Sequence, residues 1–262
     1  MTDGADVESP EVLIVVPARA ESEAELDPLL QTLVALRSTA PDAMTLVVDR
    51  SPGPQAAMIE LAAAEVGCAY VAHDPAESHS SALNVGLVNA PKHDMDACLF
   101  APGLIPDAGW LRRLRARTGR DGAPAAVAGG AVVNPNGNIR QAGYFFSLFR
   151  RAWGARMGRV PERLLDVTDP LLCPVGSELQ LIRREWIERV GLYDEGLEGA
   201  SAALDYCLRV HAEGGECVLE PTVRGRALTA AEGEPDDRDQ SAHRLQLKHA
   251  NVSFRQWVPE VL

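Results

Sequence analysis

Short apolar segments alternate with segments of helical periodicity over the first hundred residues. Residues 12–16 (VLIVV) form a continuous apolar run, typical of a strand buried on both faces of a parallel sheet, and Pro17 ends it. Apolar residues then recur at helical spacing from Leu26 to Leu36. A strand over 44–48, a helix over 55–66, a strand over 69–72, a helix over 78–90 and a strand over 96–100 follow. This alternation predicts an α/β fold with a mostly parallel central sheet flanked by helices.

The second half of the chain is less regular. Strands are predicted over 125–133 and 139–146, on either side of a turn rich in Asn, Pro and Gly at 134–138. A strand over 177–182, helices over 184–190 and 200–212, and a strand over 216–219 follow. We expect a flexible N-terminus at 1–10, one domain at 11–229, an acidic mobile loop at 230–240 and a C-terminal docking segment at 241–262.

Ligands of doubly wound sheets bind beyond the carboxyl ends of the strands. The pattern therefore places residues 17–19, 49–51 and 101–104 around any pocket. Candidate ligand-binding residues are therefore expected in these three segments.

Composition and charge narrow the classes of function. The 262 residues are 46% apolar, which is ample for a core, and 25 Lys and Arg against 37 Asp and Glu give a net charge of −12. Such a charge argues against a nucleic-acid partner. No apolar stretch is long enough to span a bilayer and no signal peptide is apparent, so we expect a soluble, cytoplasmic protein. The five cysteines form no CxxC pair and the six histidines no cluster, so no metal or redox motif is indicated.

Arginines are concentrated in two stretches. Six lie between residues 138 and 163, and five between 112 and 120. Arginine beside a sheet edge can pair with phosphates in a two-pronged fashion. The alternative is a solvated face whose arginines pair with acids of this chain or of a partner subunit, and the sequence leaves both open.

Six segments, read in order, carry a resemblance to a known family. They are VLIVVPARAESEAELDPLLQTLVAL, TLVVDRSPG, SSALNVGLVNAPKHDMDACLF, AGGAVVNPNGNIRQAGYFF, GSELQLIRREWIERVGLYDEGL and ALDYCLRVHAEGGECVLEPTV. Their order resembles that of the inverting family 2 glycosyltransferases, over roughly residues 11–227. The resemblance implies the GT-A fold, with a nucleotide-binding half at 11–104, an acceptor-side half at 105–229, and a nucleotide or nucleotide-sugar as partner.

The chain departs from that family where the family's chemistry resides. The family holds a divalent cation with acidic side chains just after the fourth strand, but the matching residues here are Ala101, Pro102 and Gly103. The family's acid pair, one of which deprotonates the acceptor, falls on Ala202 and Ala203. Alanine can neither bind a cation nor accept a proton. We therefore expect neither a cofactor nor a divalent cation. The next acid after the cation segment, at position 107, is more simply a helix cap.

The nucleotide end keeps three candidate binding residues, Pro17, Arg19 and Asp49. By the resemblance, Asp49 accepts a hydrogen bond from a uracil-type ring; the alternative is an Asx turn at the strand end. Arg19 either meets a diphosphate or pairs with Glu21 or Glu23.

Two further sets of candidates remain. Diphosphate contacts are expected among Arg140, Arg150, Arg151 and Arg156, and a substitute base between Glu178 and Glu198.

These observations give one main hypothesis and one alternative. The main hypothesis is a glycosyltransferase-like protein that has lost metal-dependent sugar transfer and acts as a binding or scaffold protein, with a protein partner or a second copy of itself. The alternative is an active, metal-independent transferase in which arginines stabilise the departing diphosphate.

Overall fold

The computed structural model describes residues 11–119, 125–147, 152–155, 161–165, 169–230, 244–245 and 248–249. The predicted N-terminus, residues 231–240 of the predicted acidic loop and most of the docking segment lie outside this part of the chain, as do Arg150, Arg151 and Arg156.

The first half of the sheet is the predicted one. Its elements are β1 (Val12–Ala18), α1 (Glu23–Thr39), β2 (Met44–Asp49), α2 (Pro54–Val66), β3 (Ala69–Ala72), α3 (His79–Lys92) and β4 (Asp96–Phe100). The strands pair in parallel in the order β3-β2-β1-β4. The carboxyl ends of β1, β2 and β4 therefore lie at one edge.

The second half completes the sheet with both strand directions. Its elements are β5 (Leu104–Pro106), α4 (Trp110–Thr118), β6 (Val127–Val133), β7 (Ile139–Gln141), β8 (Tyr144–Ser147), β9 (Ala152–Ala155), a 3-10 helix (Glu162–Leu165), β10 (Leu171–Leu172), β11 (Leu179–Ile182), α5 (Arg184–Val190), α6 (Gly199–Ala212) and β12 (Cys217–Ala227). β11 runs antiparallel between β4 and β6, and β12 runs parallel to β6 on its other side. β8 and β9 form a separate two-stranded sheet.

Three predicted strands end elsewhere than expected. β1 continues through Pro17 to Ala18, because its ladder with β4 has already ended at Val15 and a proline there removes no bond on that side. The strand predicted over 139–146 is split at Gly143, which has a φ of 78° and whose added Cβ would lie 2.5 Å from the sulfur of Cys173. The last strand runs on to residue 227 because a shift of register before Arg224 absorbs the intervening proline.

The core lies on both faces of the sheet. Leu13 and Val15 face one hydrophobic cluster and Ile14 and Val16 face another, so β1 is buried on both sides as its continuous apolar run predicts. α3 packs so closely on β1 that a Cβ on Gly86 would lie 2.2 Å from a methyl carbon of Val15. Among the described residues, no helix is long and apolar enough to cross a membrane.

Candidate functional site

The loops after β1 and β2 run side by side at the carboxyl edge of the sheet. The amide of Arg50 donates to the carbonyl of Ala18 at 2.9 Å, and the amide of Ala20 donates to the hydroxyl of Ser51 at 2.8 Å. These two bonds hold Arg19 next to Arg50. The structure thus brings together the first two loops that the sequence placed around a pocket.

Asp49 is buried at the end of β2, with 2% of its surface exposed. One carboxylate oxygen accepts from the amide of Ser51 at 2.8 Å, which is the Asx turn, and the other accepts from the hydroxyl of Tyr70 at 3.0 Å. Burial, together with the Asp49 charge, raises the pKa of Tyr70 to about 12. Each carboxylate oxygen keeps a further lone pair, so an additional donor can still be accepted.

Arg50 is the residue of this edge that the sequence reasoning missed. Its side chain is buried, donates from Nη1 to the carbonyl of Glu77 at 2.8 Å, and has its Nη2 3.4 Å from Nδ1 of His79. Its Nε has no partner among the described residues. Burial, then the charge of Arg19, lowers the pKa of Arg50, and the charge of Glu198 opposes this. An arginine directly after a buried strand at a binding edge was the available signal.

The other two nucleotide-end candidates differ in exposure. Arg19 has 48% of its side chain exposed and pairs with Glu21 at 2.9 Å, as the alternative interpretation expected. Pro17 is buried within β1 and offers no donor.

The N-termini of α3 and α6 lie together at one corner of the site, beside the loop after β2. The hydroxyl of Ser80, in the first turn of α3, donates to the carbonyl of Leu197 just before α6, at 2.8 Å. Asn84 and the backbone of Tyr193 exchange two hydrogen bonds, at 3.0 and 2.8 Å, that tie the same elements together. Glu198 occupies the N-cap position of α6. His79 at the start of α3 contacts Arg50, and its neighbour Ser80 bonds to Leu197, so the start of α6 lies near the β2 loop.

Residues 101–103, which the resemblance predicts at the place of a cation site, are held by bonds of their backbone amides. The amide of Ala101 donates to the carbonyl of Glu178 at 2.8 Å, and the amide of Gly103 donates to the hydroxyl of Thr32 at 2.9 Å. The Glu178 carboxylate lies 3.3 Å from Nε of Arg140. Two candidates from separate parts of the sequence therefore form an ion pair beside residue 101.

The acid nearest in sequence to that segment is engaged elsewhere. Asp107 pairs with Arg226 at 3.1 Å, and Gly109, not Asp107, is the N-cap residue of α4, so the predicted helix cap was wrong. Arg226 also forms a two-pronged pair with Glu162, at 2.8 and 3.1 Å. The guanidinium of Arg226 holds the pKa of Glu162 below its usual value.

The two positions of α6 that the resemblance predicts for a base carry no reactive group. Ala202 and Ala203 are 2% and 0% exposed and pack in the core. One turn further, the buried Asp205 accepts hydrogen bonds or ion pairs from Arg209 at 2.9 Å, Lys248 at 2.9 Å and His249 at 2.8 Å. Asp205, Lys248 and His249 are called the C-terminal clamp below. Burial alone would raise the pKa of Asp205, but the hydrogen bonds from His249, Lys248 and Arg209 lower it to about 2.

No cluster of acidic or other metal-binding side chains lies at this edge among the described residues. Hard cations need several carboxylate or carbonyl oxygens around one point. In the part of the chain that the structure describes, no group of three or more His, Cys, Asp or Glu side chains could hold a metal ion. Guanidinium groups, by contrast, are present at both ends of the edge.

A cavity of about 570 Å³ lies at the opposite edge of the sheet, next to the starts of β1 and β4. Three of its lining arginines form ion pairs with acids that also line it: Arg115 pairs with Glu11, Arg184 with Asp94, and Arg183 with Glu185 at 2.8 Å. These pairs balance its charge internally, and it is separate from the candidate site.

Comparison with known proteins shows the fold. No protein-family model matches this chain, and no curated protein matches it in sequence. Its fold is similar to GalNAc-T7 with UDP, GalNAc and Mn²⁺, with a TM-score of 0.67 and 16% identity over 97% of this chain and 57% of that one. It is also similar to the mannosyltransferase PcManGT from Pyrobaculum calidifontis in complex with GDP-Man and Mn²⁺, with a TM-score of 0.62 and 15% identity over 93% of this chain and 65% of that one.

A third similar structure is S. aureus TarS, with a TM-score of 0.60 and 14% identity over 93% of this chain and 40% of that one. This chain therefore spans less than two thirds of each of the three. All are glycosyltransferases of the GT-A fold, so the predicted GT-A-like fold is confirmed.

Proposed function

We propose that this chain is a catalytically degenerate glycosyltransferase-like protein that binds a nucleoside diphosphate or nucleotide-sugar at the carboxyl edge of β1 and β2 and acts as a binding or scaffold protein. The observation that carries the proposal is that two buried alanines of α6 stand where a general base is expected. The positions at which the related enzymes would hold a base are the core residues Ala202 and Ala203. A missing general base alone costs about 10²–10⁴-fold in rate.

The cation side supports the same conclusion. Segment 101–103 contributes backbone bonds and no carboxylate, and Asp107 and Glu162 are both paired with Arg226. The nucleotide end differs, because the β1 and β2 loops keep a buried carboxylate, Asp49, and two adjacent guanidiniums. Two of the three similar structures contain UDP or GDP-Man, which supports a nucleoside diphosphate as the ligand class.

The alternative, an active metal-independent transferase, is favoured by one observation. Arg140 and Glu178 lie together beside residue 101, where a cation and an acid of a working site would be needed. Glu198 is the other candidate base, and its place beside Arg50 sets it near the nucleotide end.

A turnover assay with a binding control separates the two. The full chain is incubated with UDP- and GDP-sugars in EDTA or in Mn²⁺, and release of the nucleoside diphosphate is measured beside a thermal-shift titration. We expect UDP or GDP to raise the melting temperature without any release from the sugar nucleotides. Release that persists in EDTA and is lost in Glu178→Gln would establish the alternative. The absence of any nucleotide-induced shift would contradict the proposed binding.

A further inference from the structure

The buried guanidinium of Arg50 is not balanced by an ion pair. It is 6% exposed, and its hydrogen-bonding groups in the described part of the chain are a carbonyl oxygen and an imidazole nitrogen. The imidazole belongs to His79, whose pKa is lowered to about 4 by burial and by Arg50, so it is neutral at pH 7. No carboxylate lies within ion-pair distance of Arg50 among the described residues, and its Nε has no hydrogen-bond partner there. Proteins normally pair a buried charge.

Arg19 adds a second guanidinium to this corner. The loops on which the two arginines lie are joined by the bonds from Arg50 to Ala18 and from Ala20 to Ser51. Burial, and then the charge of Arg19, lowers the pKa of Arg50. Like charges on joined loops repel each other, and an anion between them would relieve that repulsion. Arg19 is free to turn toward such an anion because its present partner, Glu21, is 62% exposed and exposed ion pairs are weak.

The first turns of two helices complete the corner. α3 and α6 each have 14 residues, and the bond between Ser80 and Leu197 sets their N-termini side by side. Helix N-termini carry partial positive charge and unpaired amide groups, which favour phosphate.

We propose that Arg19 and Arg50, together with the first turns of α3 and α6, form a subsite for the pyrophosphate group of a nucleoside diphosphate. The inference rests on the proposed function and deepens it, because it names the groups that take the place of a divalent cation. Guanidinium presents paired donors that match phosphate oxygens, and Arg50 is already desolvated, which strengthens each bond that it makes.

Glu198 gives the inference an opposite-sign test. Its exposed carboxylate stands at the N-cap of α6, and its charge acts on Arg50. An acid at this point repels an anionic ligand. Removing its charge should therefore tighten binding, whereas removing either arginine should weaken it.

The test is calorimetric titration of the full chain in EDTA with pyrophosphate, UDP, GDP and uridine. The variants are Arg19→Gln, Arg50→Lys and Glu198→Gln, with Arg112→Gln on the exposed face of α4 as the matched control. We expect Arg19→Gln and Arg50→Lys to lower the affinity for UDP and for pyrophosphate at least tenfold. Glu198→Gln should raise the affinity for both at least threefold. Uridine and the control should stay within twofold. If Arg50→Lys does not fold, the two exposed-residue variants decide the question.

The possible failures are distinguishable. UDP that binds with the same affinity to Arg19→Gln, Glu198→Gln and the control overturns the subsite and leaves the proposed nucleotide binding standing. Pyrophosphate that binds and responds to the variants, with no binding of UDP or GDP, supports the subsite and overturns the proposed function. Binding of none of these ligands overturns both.

Discussion

Asp205 should be the acid on which the stability of the second half depends most. It is fully buried, and it joins α6 to Lys248 and His249, the other two residues of the C-terminal clamp, while also pairing with Arg209. Asp205→Asn keeps the volume of the side chain and removes its charge. The substitution leaves three donors facing a group that can no longer satisfy them all.

The magnitude follows from the pKa of Asp205, which falls from 3.8 to about 2 on folding. At 1.36 kcal/mol for each tenfold change in proton affinity, the ionised carboxylate contributes about 2 kcal/mol to the free energy of unfolding. Because the folded-state pKa is depressed, this contribution is complete above pH 3.8 and is lost as the pH falls through 2. For a chain of this size, about 2 kcal/mol corresponds to a fall in melting temperature of about 4–8 °C.

The assay is urea unfolding at pH 7 and at pH 3, with Asp194→Asn as the control. Asp194 pairs with the same Lys248 at 2.6 Å but is 38% exposed, so its loss should cost less than about 1 kcal/mol. At pH 7, we expect Asp205→Asn to lower the free energy of unfolding at least about twice as much as the control variant does. At pH 3, the difference between Asp205→Asn and wild type should be smaller. Equal costs for the two variants, or a difference that does not change with pH, would refute this reasoning.

Three further predictions test other parts of the structure. Gly86→Ala should destabilise the protein by about 1–3 kcal/mol because its Cβ would overlap Val15, and a calorimetric melt that is unchanged would show that α3 packs less closely. His79 has a folded-state pKa of about 4, against 6.5 for the free side chain, so between pH 6.5 and pH 4 the free energy of unfolding of wild type should fall by up to about 2 kcal/mol more than that of His79→Gln. Unfolding free energies that fall in parallel with pH in the two proteins would contradict this. Arg140→Gln should change the affinity for UDP less than twofold, because Glu178 already neutralises that guanidinium; a tenfold loss measured by calorimetry would place the diphosphate beside residue 101 instead.

The elements of the first half, residues 11–104, could be predicted closely from the sequence. β4 has the predicted bounds because its short apolar run is buried on both faces of the sheet. β3, a partly exposed strand at the side of the sheet, also has the predicted bounds. The second half was less predictable because contacts between distant residues decide it. The break at Gly143 depends on Cys173, and the length of β12 depends on its pairing with β5 and β6.

The candidate site also has features that the sequence predicts and features that only the structure provides. A parallel sheet predicts that the loops after β1 and β2 lie at the same end of the sheet, but their adjacency depends on the strand order, which the structure supplies. The burial of Arg50 could not be inferred, since its partners Glu77 and His79 lie more than 25 residues away in the sequence. The ion pair of Arg140 with Glu178 likewise required the pairing of both β7 and β11 with β6.

The central claim is that this edge binds a nucleoside diphosphate without a divalent cation. Its most direct test is calorimetric titration of the purified chain with UDP and with GDP, once in EDTA and once in excess Mn²⁺. The account predicts binding of at least one nucleotide with the same affinity, within twofold, in both buffers. Binding that appears only with Mn²⁺, or that fails in both buffers, would contradict it.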